Sequence, residues 1–191
     1  MERLYALFDF AKMDENALVR CLHLLPEDRQ NKALSYHFER DQKASAAAYL
    51  LLLYALRDAF GLINPQVEVD ARGKLYLKDQ PQVHFNISHC PLGCVCAVAD
   101  RPVGVDIQDV RPFSQRLVER CCTENELERL KTAEDPALAF TRMWAMKESY
   151  VKMLGAGLGY DVRRVDTTQM EDCFAVFAHK DYCIAVSVQD D

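Results

Sequence analysis

Strand-like segments arrive in succession between two long helical runs, and this order constrains the fold more than any other feature. From Val67 the chain reads "VEVDARGKLYL", then "VHFNIS", "CVCAVAD" and "PVGVDIQDV", with turn residues between the runs. The first segment reads as a hairpin, two short alternating runs around a polar turn. Before these strands, a long helix is predicted from Glu39 to Phe60, stopped by Gly61 as its C-terminal cap. After them, Asp135 and Pro136 offer an N-cap and an N1 proline for a second long helix ending near Leu154. Strands that come in runs between helices indicate the α+β class.

The remaining segments fit the same plan. "RLYALFDF" is a candidate first strand, and short helices are expected at Asp14–Leu24 and Glu27–His37. "TENE" at Thr123–Glu126 has the spacing of a capping box and starts another helix. "CFAVFAH" and "YCIAVSV" close the chain as a hairpin. Each half, 1–101 and 102–191, therefore reads as a long helix followed by antiparallel strands, although the two halves share no sequence repeat.

Composition limits the function classes. A chain of 191 residues, 50% hydrophobic and 27% charged, buries a real core as one large domain or two small ones. Its longest apolar run, "AAAYLLLLYAL", falls well short of the roughly 18 residues of a membrane span. The start, "MERLYALFDF", carries acidic residues and lacks a signal-peptide pattern, so a cytoplasmic location is expected, with no membrane partner. There the eight cysteines are expected as reduced thiols. Cys90, Cys94 and Cys96 come nearest to a metal cluster, but no second CxxC or CxxH completes a zinc set. A net charge of −6 argues against a general nucleic-acid binder and leaves room for local basic patches.

Three stretches carry candidate chemistry. In the second long helix, Lys147 falls near the middle of an apolar arc that runs from Phe140 to Leu154. A lysine there must snorkel or meet an anion. Glu148 and Lys152 sit on the shoulder of that arc at i and i+4, a pair that contributes about 0.3–0.5 kcal/mol if it is only a surface feature. Gly155 alone suffices as a cap; Gly157 and Gly159 exceed that need. In "VGVDIQDV", Asp106 shares a strand face with Gly104 and Gln108, an unusual place for aspartate and either a solvent-facing edge or a ligand contact. In "HFNISHCPLG", Phe85 and Ile87 are expected inward and His84, Asn86 and Ser88 outward, with His89 at the strand end before a turn. No G-x-S-x-G elbow supports a serine hydrolase.

In their order, "FNISH", "GVDIQ" and "WAMKESYVKMLGAGL" resemble the signature of phosphopantetheinyl transferases, in the larger type that activates peptide and polyketide synthetases. The last motif matches at Trp144, Lys147, Glu148, Ser149, Lys152, Gly155, Gly157 and Leu158. The resemblance implies two similar α+β halves in one chain, a pseudo-dimer with its active site in the cleft between them, and a monomer. It implies transfer of the phosphopantetheine arm of coenzyme A to a serine of an apo acyl or peptidyl carrier protein, releasing adenosine 3′,5′-bisphosphate. Mg²⁺, or Mn²⁺, would be held by Asp106 and Glu148, with Gln108 at the position where the family has glutamate. Glu148 would also act as general base, Lys152 would contact the pyrophosphate, and Lys147 would pair with a carboxylate or organise Glu148. For coenzyme A, the resemblance points to Ser88, His89 and Lys74, with Arg40 or Lys43 near the start of the first long helix. The family's "GKP" is altered here, with Leu75 in the proline position.

The carrier is expected to present an acidic helix, and "RPFSQRLVER" offers Arg111, Arg116 and Arg120 against the single acid Glu119, unless it is only a solvated helix face. Two rivals remain at this level. One is a coenzyme A- or carrier-binding module in which Gln108 marks an impaired metal site. The other is a Mg²⁺-dependent nucleotide pyrophosphohydrolase that uses the same carboxylates on water.

Overall fold

The computed structural model describes residues 1–9, 14, 16–157 and 159–189. In chain order its elements are β1 (Glu2–Phe8), α1 (Ala17–His23), α2 (Glu27–Leu34), α3 (Glu39–Phe60), β2 (Val67–Val69), β3 (Leu75–Leu77), β4 (His84–Cys90), β5 (Gly93–Ala99), β6 (Val103–Asp109), α4 (Gln115–Cys121), α5 (Glu124–Lys131), α6 (Pro136–Leu154), β7 (Phe174–Ala178) and β8 (Tyr182–Val188). Two three-stranded antiparallel sheets result, ordered β1-β5-β4 and β6-β8-β7, with β2 and β3 as a separate hairpin. One long helix covers each sheet, α3 the first and α6 the second. This is an α+β fold in two halves.

The long helices form where the local signals place them. Helix α3 buries a run of small residues, Ala44 and Ala46 to Ala48, before Leu52, Ala55 and Leu56, and Gly61 ends it at φ +69°. Alanines on the buried face let the helix lie close on the sheet. Helix α6 starts where the Asp135 side chain accepts from the Leu138 amide and ends at Gly155, φ +62°. Both ends use left-handed glycine caps, a conformation in which a Cβ is penalised.

The sheets abut along β4 and β6. Strand β6 is terminal in its own sheet, yet the Val105 amide donates to Asn86 Oδ1 on β4 at 3.1 Å, so the edge is covered by the other half. Val103, Val105 and Ile107 join a core with Val95, Ala97 and Ile184. Gly104 faces the other way, under α6, where an added Cβ would stand 1.9 Å from the Ser149 carbonyl oxygen. Asp106 shares that covered face and is 2% exposed. The solvent-facing edge allowed for this strand does not occur, because a helix and a second sheet occupy both of its open sides.

Other departures are local. Helix α1 is shorter than expected, and Phe10 and Glu15, within the predicted first strand and helix, lie outside the described residues. Helix α2 ends at Leu34, and the chain turns before entering α3. Strand β4 runs through His89, which pairs with Cys94 and stands at the strand end before the turn as expected. Ser88, expected outward, is 8% exposed because its face of β4 meets the second half. Leu154, placed in the apolar arc of α6, is 47% exposed.

Candidate active site

Close packing of α6 on β6 brings the charged residues of both elements to one place. Asp106 Oδ1 accepts from Ser88 Oγ at 2.7 Å and from Lys152 Nζ at 2.5 Å, and Oδ2 accepts from Gln108 Nε2 at 2.8 Å. Lys152 Nζ also donates to Ser88 Oγ (3.0 Å) and the Val105 carbonyl (3.3 Å). A serine from the first half and a carboxylate, an amide and an ammonium from the second thus form one network.

Glu148 lies one helical turn from Lys152 and differs from Asp106. Among the described residues it has no hydrogen-bond or ion-pair partner. Burial pushes its carboxyl above the usual value of 4.5; the neighbouring Asp106 charge adds to the rise and Lys152 opposes it. Such a group readily accepts a proton or a cation. Asp106, Glu148 and the Gln108 carbonyl are hard oxygen donors of the kind Mg²⁺ selects, and a divalent ion would relieve the repulsion between the carboxylates. No group of three or more His, Cys, Asp or Glu placed to hold a metal occurs among the described residues. A hard ion bound here therefore completes its shell from the amide, a ligand or water.

Glu148 and Lys152 line a cavity of about 760 Å³. Its walls come from the β2–β3 turn (Arg72 to Leu75), from Phe85 to Ile87 on β4, from α6, and from Gly155, Gly157 and Tyr160 to Val162. Trp144 and Val151 give it an apolar side, and Leu117, Arg120 and Cys121 of α4 border it. Lys74 reaches in from the turn, where burial lowers its pKa, and its Nζ donates to the carbonyls of Lys152 (2.8 Å) and Met153 (3.2 Å). Gly155 and Gly157 adopt φ +62° and +73°. Leu158, the last motif position, lies outside the described residues.

Ser88 and His89 part company because successive strand residues face opposite ways. His89 faces a smaller cavity of about 160 Å³, lined also by Arg29, Lys32, Tyr36 and Ser45. Its Nε2 is 3.5 Å from Tyr36 Oη and the two rings meet edge-on. Burial depresses its pKa, the charges of Lys152 and Lys32 act in the same sense, and Asp41 and Asp106 oppose them. Arg29 lines both cavities. The sequence reading missed Arg29, Lys32, Tyr36 and Ser45.

Three predicted residues join neither the Asp106 network nor a cavity wall. Arg40 is exposed, 3.7 Å from Asp41 and stacked over Phe38, and Lys43 pairs with Glu39 at 2.8 Å. Lys147 is 1% exposed, and the carboxylate it meets is that of Glu126, with Nζ 2.8 Å from Oε2. It also donates to the carbonyls of Val162 and Val165. Glu126, itself 0% exposed, accepts from the Thr123 amide and from the amide and hydroxyl of Thr167. Lys147 therefore ties α6 to the start of α5 and to the segment beside the main cavity, and among the described residues its ammonium has no hydrogen bond or ion pair with Glu148.

Comparison with known proteins agrees with the motif resemblance along nearly the whole chain. Residues 12–101 match the family model described as 4′-phosphopantetheinyl transferase, N-terminal, and residues 102–190 match that of the 4′-phosphopantetheinyl transferase superfamily. The 4′-phosphopantetheinyl transferase psf-1 of Bacillus pumilus is 28% identical over 83% of this chain and 71% of its own length. The 4′-phosphopantetheinyl transferase Sfp of Bacillus subtilis (strain 168) is 23% identical over 98% of this chain and 82% of its own. The 4′-phosphopantetheinyl transferase gsp of Aneurinibacillus migulanus reaches 37% over 69% and 56%.

Proposed function

The chain belongs to the 4′-phosphopantetheinyl transferase superfamily, and on that premise we propose that it moves the phosphopantetheine arm of coenzyme A onto a serine of an apo acyl or peptidyl carrier protein. The observation that carries the reading is Glu148: a carboxylate on the cavity wall, without a hydrogen-bond or ion-pair partner among the described residues and with a raised pKa, one turn from the lysine that meets Asp106.

Bound Mg²⁺, or Mn²⁺, would supply charge neutralisation at the pyrophosphate. Asp106 and Glu148 would hold it, with the Gln108 carbonyl as the third protein donor. Glu148 takes the proton of the carrier's serine hydroxyl, directly or through a water. The serine oxygen bonds to the phosphorus that bears the pantetheine arm, and the bond from that phosphorus to the bridging pyrophosphate oxygen breaks. Adenosine 3′,5′-bisphosphate leaves with that oxygen. Lys152 stabilises the charge that develops there, and Ser88 holds Lys152 in place.

The main cavity, apolar along Trp144 and Val151, suits the pantetheine arm. The smaller cavity suits the 3′-phosphate, since Arg29 and Lys32 supply charge and Tyr36, Ser45 and His89 supply donors. Lys74 lines the main cavity, but its ammonium is engaged by the carbonyls of Lys152 and Met153 and so supports α6 rather than a phosphate. The carrier docks on exposed Arg116 and Arg120 of α4; Arg120 borders the cavity, while Arg111 is engaged by Asp109. Both halves of the cleft come from one chain, so the working unit is a monomer.

Incubation with Mg²⁺, coenzyme A and an apo carrier tests the proposal. A gain of one phosphopantetheine mass on the carrier is expected. Binding without a mass gain favours the binding module, and cleavage of coenzyme A without carrier modification favours the pyrophosphohydrolase.

A further inference from the structure

The β2–β3 turn belongs to the first half, but its cationic side chains end on the second. Asp70 Oδ1 accepts from the amides of Arg72 and Lys74, both at 2.8 Å, and Gly73 takes φ +85°. The turn is thereby fixed in shape before it meets anything. From it, Arg72 Nη1 donates to the Gly155 carbonyl at 3.2 Å, and Lys74 Nζ donates to the carbonyls of Lys152 and Met153. These carbonyls belong to the last turn of α6 and its cap, where the helix runs out of its own amide donors and where cations are favoured.

Lys152 is thus held by the first half at two points. Its carbonyl meets Lys74 and its ammonium meets Ser88. We propose that Arg72 and Lys74 act as a latch between the halves, positioning residues that set how the end of α6 presents Lys152, and Glu148 one turn before it, to Asp106. A lysine ammonium has three N–H donors, and two are committed to carbonyls here, so positioning is the main work of Lys74 in this arrangement. The inference rests on the transferase reading, because that reading is what makes the placement of Lys152 and Glu148 matter.

Steady-state kinetics with coenzyme A and an apo carrier, paired with amide hydrogen exchange on the coenzyme A-free protein, tests the latch. Arg72→Ala and Lys74→Met should lower kcat about tenfold to hundredfold while KM for coenzyme A stays within about twofold. Lys74→Arg should restore most of the rate, since a guanidinium also donates to two carbonyls. In both disabled variants the amides of Met153 to Gly157 should exchange faster, while those of α3 keep their protection and certify the fold. A tenfold rise in KM with kcat preserved, or unchanged exchange at Met153 to Gly157, overturns the latch. Failure of the wild-type chain to modify any carrier overturns the transferase reading instead, and the exchange result still decides whether the turn holds the helix.

Discussion

Lys152 Nζ sits 2.5 Å from Asp106 Oδ1, joining the last turn of α6 to the middle of β6 at a carboxylate that is 2% exposed. The lysine is half-buried, so this pair falls between a surface ion pair, worth at most about 1 kcal/mol, and a fully buried one, whose disruption costs about 3–5 kcal/mol. Asp106→Asn should therefore lower unfolding stability by about 1–3 kcal/mol in urea titration and reduce carrier modification at least about hundredfold. Stability loss without loss of transfer would show the pair to be purely structural.

Gln108 donates to Asp106 Oδ2 where the family motif has glutamate, and it adds no charge. Gln108→Glu should bring the Mg²⁺ concentration for half-maximal transfer down, since a third carboxylate strengthens a hard-cation site. An unchanged Mg²⁺ requirement would show that this position does not tune the metal.

Gly104 lets α6 approach β6 so closely that a Cβ would fall 1.9 Å from Ser149 O and 2.4 Å from Met153 N. Both are backbone atoms and cannot rotate away. Gly104→Ala should cost about 3 kcal/mol or more and displace Glu148 and Lys152 from Asp106. Chemical denaturation measures the loss; a change within about 0.5 kcal/mol would contradict the close packing.

Lys147→Met leaves Glu126 buried without its cation and should cost about 3–5 kcal/mol. Because Lys147 does not line the cavity, the folded variant, assayed well below its Tm, should keep its turnover within about tenfold of wild type. A greater loss at full foldedness would return Lys147 to a direct catalytic role.

His89 has a folded pKa below its ordinary value of 6.5, so the unfolded chain binds more protons than the folded one between the two values. The stability owed to neutral His89 is fully present above about pH 6.5 and is lost as pH falls through the folded pKa. His89→Gln removes that dependence. The stability difference between wild type and variant, from denaturant melts across pH 5–8, should favour wild type most at the upper end and narrow toward the acid end; the opposite slope would mean that His89 is buried as a cation.

Much of this architecture was legible because its signals are local. The Asp135 and Pro136 start, the Gly61 and Gly155 stops and the Thr123–Glu126 capping box all act within one turn of chain, and all are present. What escaped depends on distant partners. Asp106 reads as either a solvent-facing edge or a ligand contact, because nothing near it in sequence announces that α6 covers it. Lys147 read as an apolar-face oddity whose anion was unknown, because Glu126 comes to it from a capping box and the Val162 and Val165 carbonyls from a segment further along the chain. Arg29 and Lys32, three residues apart, share one face of α2, a signal present in the sequence, while Tyr36 follows just past the end of that helix. Their partner His89 lies 53 residues beyond Tyr36, and only the fold brings it to them.

The proposed chemistry places one proton on one carboxylate, so intact-mass analysis of an apo carrier after incubation with coenzyme A and Mg²⁺ should be run with the wild-type chain and with Glu148→Gln, which keeps the shape and removes the base. Wild type should add one phosphopantetheine to the carrier serine, and Glu148→Gln should do so at least about hundredfold more slowly. Equal rates for the two chains, or a wild-type chain that leaves the carrier mass unchanged, would contradict the role given to Glu148.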